Sequence, residues 1–207
     1  MILRSCDEII LFTLRYQFMK MKKIIALIGF ICISSFANAQ NEPLVTPYAV
    51  PLDTITNKIT YEGVIDVKGV AADELYNRFY NWFKTFYKNP TEVIRENDST
   101  THKIVGKPRF RIANPPDKQG NRTDAGVAQY TITVLAKDGR FKYELTDFSW
   151  KVISVFPAEK WLDTKSSGYV PAYNDYLQQL DKNSIDVIGA LKKAVTETKP
   201  VKNKDNW

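Results

Sequence analysis

Cysteine and histidine are the scarcest reactive residues in this sequence of 207 residues. Cys6 and Cys32 are the only cysteines, and His102 is the only histidine. No HExxH or comparable spacing occurs, so the residues that bind transition metals are too few to form a site. Because both cysteines precede a predicted cleavage site, we expect a mature chain without thiols or disulfides, held together by its core alone.

Nucleotide-binding and triad motifs are also absent. The sequence contains neither GxGxxG nor GxxxxGK[ST], so we predict no nucleotide cofactor and no other cofactor. A Ser-His-Asp triad would have to use His102, which lies beside a predicted turn and is interpreted as a solvated turn residue. The sequence therefore favours a protein without enzymatic activity, and we assign no catalytic residue.

Strand-borne carboxylates keep one enzymatic alternative open. A glycosidase needs two carboxyl groups that flank the scissile bond. Nothing in the spacing of the candidates selects a pair, so a carboxylate-based hydrolase stays a less favoured alternative. The candidates are Glu62, Asp66, Glu144 and Asp147.

Residues 21–39 have the layout of a secretory signal peptide. Met21-Lys22-Lys23 is basic, residues 24–33 are apolar, and Ala37-Asn38-Ala39 fits a cleavage site. We predict cleavage near Ala39-Gln40 and a periplasmic or secreted protein. The apolar run is shorter than the roughly 20 residues of a membrane-spanning helix, and an uncleaved anchor is the alternative. The mature chain is predicted to have no transmembrane segment.

The first 20 residues fit poorly in front of this signal. Asp7 and Glu8 interrupt their apolar stretch, so we interpret residues 1–20 as a gene-model extension before a start at Met19 or Met21. A two-helix membrane hairpin is the alternative. The net charge of +6 falls to +3 without residues 1–39, which carry five basic and two acidic residues. That value is ordinary for a soluble domain and gives no reason to expect nucleic acid as a partner.

The remaining sequence predicts one α+β domain over residues 57–198, between an extended lead-in (40–56) and a polar tail (199–207). Alternation predicts strands over 59–67, 92–95, 103–112, 128–136 and 141–145, with a hairpin at Asp138-Gly139. Helical spacing predicts helices over 73–88 and from Pro171 to Lys199. The order β-α-β-β-β-β-α indicates an antiparallel sheet with two helices packed on one face.

Several segments have more specific expectations. Pro108 cannot donate to a ladder, so its strand is expected to be bulged or at an edge there. Residues 113–126 are predicted to form a polar loop, and four large apolar residues after the last strand are expected to cover one end of the core. These are Trp150, Val152, Phe156 and Trp161.

Four cations recur at period two on one predicted strand. Lys103, Lys107, Arg109 and Arg111 would form a basic stripe about 27 Å long at roughly 3.3 Å per residue. Such a stripe could bind an anionic glycan, a lipid surface or an acidic envelope protein. The alternative is that these cations only protect a solvent-facing edge from aggregation.

Residues 58–151 resemble a bacterial envelope family, domain of unknown function 4468, which has a TATA-binding-protein-like fold. The resemblance lies in Asp73-Glu74-Leu75-Tyr76 through Trp82, Ile104-Val105-Gly106-Lys107, Tyr130-Thr131-Ile132 and Tyr143-Glu144-Leu145-Thr146-Asp147. It implies the same order of strands and helices. The family has no known activity, so the resemblance carries no site residues over, and the fold name does not imply DNA binding.

The leading functional prediction is a non-enzymatic binding module that uses its sheet face or the 113–126 loop. The alternative is a small-molecule or lipid carrier with a cavity between the C-terminal helix and the sheet.

Overall fold

The computed structural model describes residues 46–197. The predictions for residues 1–20, 21–39 and 199–207 lie outside the described residues. The strands are β1 (Tyr61–Asp66), β2 (Ile94–Asp98), β3 (Lys103–Gly106), β4 (Arg109–Ala113), β5 (Asp124–Lys137), β6 (Arg140–Lys151) and β7 (Val155–Pro157). The helices are α1 (Ala72–Phe86), the single turn α2 (Pro90–Val93) and α3 (Ala172–Thr196), with a 3-10 helix at Ala158–Leu162.

The strands form one antiparallel sheet in the order β1-β6-β5-β3-β2, with β4 beside β5 and β7 beside β6. β5 and β6 form the predicted hairpin, in which Gly139 has a φ of 73°. The Asp138 carboxylate accepts a hydrogen bond from the Ala72 N–H at 2.8 Å, which ties the hairpin turn to the start of α1. The predicted α+β fold is confirmed.

The two long helices bury one face of the sheet. α1 contributes Leu75, Phe79 and Phe83, all fully buried, and the rings of Phe79 and Phe141 meet edge to face at 5.3 Å. α3 presents a second buried row at the predicted helical spacing, comprising Leu177, Leu180, Ser184, Ile188, Leu191 and Val195. Phe86 has helical spacing to Phe79 and Phe83, but it is the last residue of the helix and is 42% exposed.

The strand predicted over 103–112 is divided at Lys107-Pro108, but its register is continuous. Gly106 lies opposite Ile132 and Arg109 lies opposite Gln129, so β3 and β4 follow β5 as one line. The interruption falls where Pro108 has no N–H to donate. β2 pairs with β3 only, so among the described strands β4 has no partner on its outer side. This confirms the edge expected at Pro108.

Three local predictions are wrong. Glu92 and Val93 belong to α2, because Pro90 favours a helix start, and β2 begins only at Ile94. The polar loop is shorter than predicted, since β4 runs to Ala113 and β5 starts at Asp124. Of the residues expected to cover the core, Trp161 is buried, but Val152 and Phe156 are 50% and 36% exposed.

Candidate functional site

The face of the sheet opposite α1 and α3, here called the open face, carries the four cations of the basic stripe. Successive strand residues point to opposite faces, and the buried Ile104 and Gly106 belong to the helix side. The unbroken register of β3 and β4 then places the cations in one line on the open face. Lys103 is partly buried, whereas Lys107, Arg109 and Arg111 are exposed.

The stripe is only partly neutralised. The Lys103 ammonium lies 3.0 Å from the Glu96 carboxylate. The Arg111 guanidinium lies 3.2 Å from Asp124 with its side chain 78% exposed, a geometry that contributes little stability. Lys107 and Arg109 have no acidic partner among residues 46–197. The centre of the stripe therefore has two cations available to an anionic ligand.

Lys151 extends this basic region across the sheet. In register, Arg111 faces Val127, Val127 faces Lys151, and Lys151 faces Val155 on β7. Neighbouring strands lie roughly 4.8 Å apart, so this row brings Lys151 within about 10 Å of the stripe. The sequence missed Lys151 because β5 and β6 shift register between Gln129 and Thr131.

A groove of about 520 Å³ lies between these cations. The charged residues of its lining are Arg109, Lys151 and Asp124, and Asp124 is the carboxylate already paired with Arg111. Gln129 and Ser149 contribute neutral polar groups, and Val152 and Val155 contribute apolar surface. A guanidinium can donate two parallel hydrogen bonds to a carboxylate, sulfate or phosphate group. The groove therefore has donors for an anion beside a patch for an apolar group.

The loop between β4 and β5 is fastened to α3. The Arg122 guanidinium donates to both oxygens of Asp175 at 2.8 and 3.0 Å. These hydrogen bonds lower the pKa of Asp175 below its usual value. Backbone N–H groups of Asn121 and Gln119 donate to Asp117, and the hydrogen bond from Asn121 is the main cause of the lowered pKa of Asp117. Arg122 is thus already engaged, and the sheet face is the better candidate for ligand binding.

Three of the four candidate carboxylates, Glu62, Glu144 and Asp147, form ion pairs with lysine. Glu62 and Glu144 lie opposite each other on β1 and β6, and the Lys142 ammonium lies 2.6 and 3.5 Å from them. The hydrogen bond to Glu62 raises the pKa of Lys142. Asp147 pairs with Lys58 at 2.5 Å, while Asp66 lies opposite Arg140. Glu62 and Glu144 are therefore brought together, but around a shared cation.

His102 occupies a turn with a φ of 52° and bonds to Asp73 Oδ1 at 2.7 Å through Nε2. The neighbouring Thr101 hydroxyl donates to Asp98 instead of to the imidazole. Among the described residues, the imidazole is hydrogen-bonded to the Asp73 carboxylate and to no serine or threonine hydroxyl. Within residues 46–197, no cluster of His, Cys, Asp and Glu is suited to holding a metal ion.

A second concave feature, the aromatic pocket, lies at the start of α3. It has a volume of about 280 Å³ and is walled by Trp150, Phe156, Trp161, Tyr169 and Tyr173, with the Lys160 ammonium 4.7 Å from the Phe156 ring centre. Trp161 Nε1 and the Tyr169 hydroxyl are buried without hydrogen-bond partners in the described part of the chain. Unpaired buried polar groups are costly, which makes this pocket a second candidate site.

No helix in the described segment is both long and apolar enough to cross a membrane. Residues 61–151 match a family described as "Domain of unknown function (DUF4468) with TBP-like fold". No curated protein matches the sequence.

Two solved structures are similar to this chain. A TBP-like protein from Parabacteroides distasonis ATCC 8503 has a TM-score of 0.60 at 12% identity, over 72% of this chain and 99% of that chain. A DUF4468 family protein from Bacteroides ovatus ATCC 8483 has a TM-score of 0.58 at 16% identity, over 72% of this chain and 94% of that chain. At these identities the likeness shows the fold alone.

Proposed function

We propose, from the premise that residues 61–151 match the DUF4468 family with its TBP-like fold, that this protein is a non-enzymatic binding module. Its partner is anionic and lies against the open face of the sheet. The observation that carries the proposal is the pair of unneutralised cations, Lys107 and Arg109, at the centre of the stripe beside the groove.

The alternative role of the stripe, protection of an edge, explains only part of the arrangement. Arg109 and Arg111 lie on β4, whose outer side has no partner among the described strands. At Lys107 there is no open edge to protect, because the backbone N–H of Lys107 already donates a hydrogen bond to the Val93 carbonyl at 2.8 Å. Lys151 is on β6, which is flanked by other strands, so it protects no edge either. These two cations support a binding role.

The combined substitution Lys107→Gln, Arg109→Gln and Arg111→Gln tests the proposal. We expect affinity for dextran sulfate, a soluble polyanion, to fall about tenfold or more at low ionic strength, since each exposed pair contributes up to about 1 kcal/mol. The difference should shrink as added salt screens the charges. Binding is measured by fluorescence anisotropy of labelled dextran sulfate.

The matched control removes three cations from the helices, namely Lys84→Gln, Lys182→Gln and Lys193→Gln. This variant has the same net charge, but its substitutions lie on α1 and α3. Affinity within about twofold of the unchanged protein is expected. Equal losses of affinity in the two variants would mean that net charge alone governs binding of dextran sulfate. The open face would then not be the binding surface.

A second candidate function, a small-molecule carrier, is favoured by the aromatic pocket. We expect saturable binding of 8-anilinonaphthalene-1-sulfonate, whose rings suit the aromatic walls and whose sulfonate suits Lys160. Tyr173→Ala should weaken this binding about tenfold, whereas Phe86→Ala, at an exposed ring elsewhere, should leave it unchanged. Fluorescence titration measures both, and similar losses would indicate non-specific adsorption.

The proposed place of action is the periplasm or the exterior of the cell. The support is the signal-like sequence of residues 21–39. A protein recovered from the envelope with Gln40 as its first residue, established by intact mass, is the expected result.

A further inference from the structure

The turn between β6 and β7 exposes apolar side chains next to the basic stripe. Ile153 is 95% exposed, Val152 is 50% exposed and Val155 is 62% exposed. We call these three residues the apolar tip. Single exposed apolar residues are ordinary, but three within four positions at the end of a hairpin form a contiguous patch.

The apolar tip and the cations belong to one surface. Val152 and Val155 line the same groove as Arg109 and Lys151. The cross-strand row from Arg111 through Val127 and Lys151 to Val155 joins the stripe to the tip, and adjacent strands are roughly 4.8 Å apart. A flat surface that contacts the apolar tip is therefore also within reach of Arg109, Arg111 and Lys151.

This combination fits the surface of an anionic bilayer. The acyl boundary accepts the apolar side chains, while phosphate groups a few ångströms above it accept hydrogen bonds from Arg and Lys. We infer that the anionic partner is a lipid surface, into which the apolar tip inserts while Arg109, Arg111 and Lys151 contact headgroups. This inference rests on the proposed function and specifies its partner.

A soluble polyanion accounts for less of the surface. It would use the cations but would leave Ile153 in water, because it offers no apolar phase. A folded protein could also cover the tip, and it is distinguished from a lipid surface by the vesicle experiment below. The lipid surface accounts for both the charges and the tip.

The test measures how strongly the protein partitions onto vesicles of phosphatidylcholine in which about one lipid in three is the anionic phosphatidylglycerol. Ile153→Ser should weaken partitioning about tenfold, the effect of returning one apolar side chain to water. The combined substitution Arg109→Gln, Arg111→Gln and Lys151→Gln should weaken partitioning about 100-fold, from about fivefold per cation. Vesicles of phosphatidylcholine alone should bind far less protein.

Ile55→Ser is the matched control, because Ile55 is 88% exposed but lies in a different turn, which spans residues 54–56. All variants are made in the full chain, so any contribution of residues 1–39 is common to them. The Ile55 variant should partition within about twofold of the unchanged protein. Equal partitioning of the Ile153 variant and the unchanged protein would overturn the inference.

Dextran sulfate distinguishes this failure from failure of the proposed function. Ile153→Ser should leave dextran sulfate binding unchanged. Suppose that Ile153→Ser does not change vesicle binding, but the substitutions in the stripe weaken dextran sulfate binding. The lipid inference is then wrong, and the proposal of an anionic partner stands. If dextran sulfate binding does not depend on the stripe, the proposed function itself is wrong.

Discussion

Replacing Gly126 with alanine is expected to lower the free energy of unfolding by about 3–5 kcal/mol. Gly126 has a φ of 105°, which side-chain-bearing residues rarely adopt. An added Cβ would lie 2.4 Å from the Lys151 carbonyl oxygen and 3.1 Å from Trp150 Nε1. The cost of the backbone strain and the cost of the steric clash therefore add in the free energy of unfolding.

Thermal and urea unfolding followed by circular dichroism measure this loss, with an expected fall in Tm of about 10 °C. Gly120→Ala is the control, since Gly120 has a φ of 86° but no atom within 4 Å of an added Cβ. It should cost only about 1 kcal/mol, the strain alone. Similar losses at both positions would show that contact with Lys151 does not matter.

The second large effect is expected where α1 crosses β3. Phe83 is fully buried, so Phe83→Ala should cost about 3–5 kcal/mol through lost burial and a residual cavity. Gly106→Ala alone should cost about 1–3 kcal/mol, because its Cβ would lie 2.8 Å from Phe83 Cε1 and 3.2 Å from Ile132 Cγ2. In the double variant the new methyl group occupies space left by the ring.

The two substitutions should therefore be strongly non-additive, with a coupling of about 2 kcal/mol from a double-mutant cycle measured by urea unfolding. Gly189→Ala gives the baseline for a glycine with free space around it, since an added Cβ at this position in α3 would have no side chain or other element within 4 Å. That change should stabilise the protein by about 0.5–1 kcal/mol through helix propensity. Additive costs for Phe83 and Gly106 would contradict the packing described here.

Regular periodicity made most of the fold predictable from the sequence. The face of α1 through Leu75, Phe79 and Phe83 and the turn at Asp138-Gly139 follow from local rules that tertiary contacts then reinforce. The order of strands and helices followed from these elements. The register of β3 and β4 kept the alternation of the basic stripe through Pro108.

The candidate site was less predictable, because long-range pairing assembles it. Lys151 reaches the stripe through β5, across a register shift that no local pattern shows. The sequence predicts that Val152 covers one end of the core, because an apolar side chain after a strand is more often buried than exposed. The chain reverses there into β7, which leaves Val152 and Ile153 exposed.

Because α3 packs on the apolar face of the sheet, it determines where the chain can be truncated for expression. The family similarity spans residues 61–151, whereas the hydrophobic interior is completed by Leu177 and Leu191 of a helix well beyond that limit. The Arg78 side chain on α1 also donates to the Val195 carbonyl at 2.7 Å. A fragment trimmed to residues 61–151 would expose the apolar side of the sheet to water and is expected to aggregate. The smallest piece worth expressing therefore extends through Thr196.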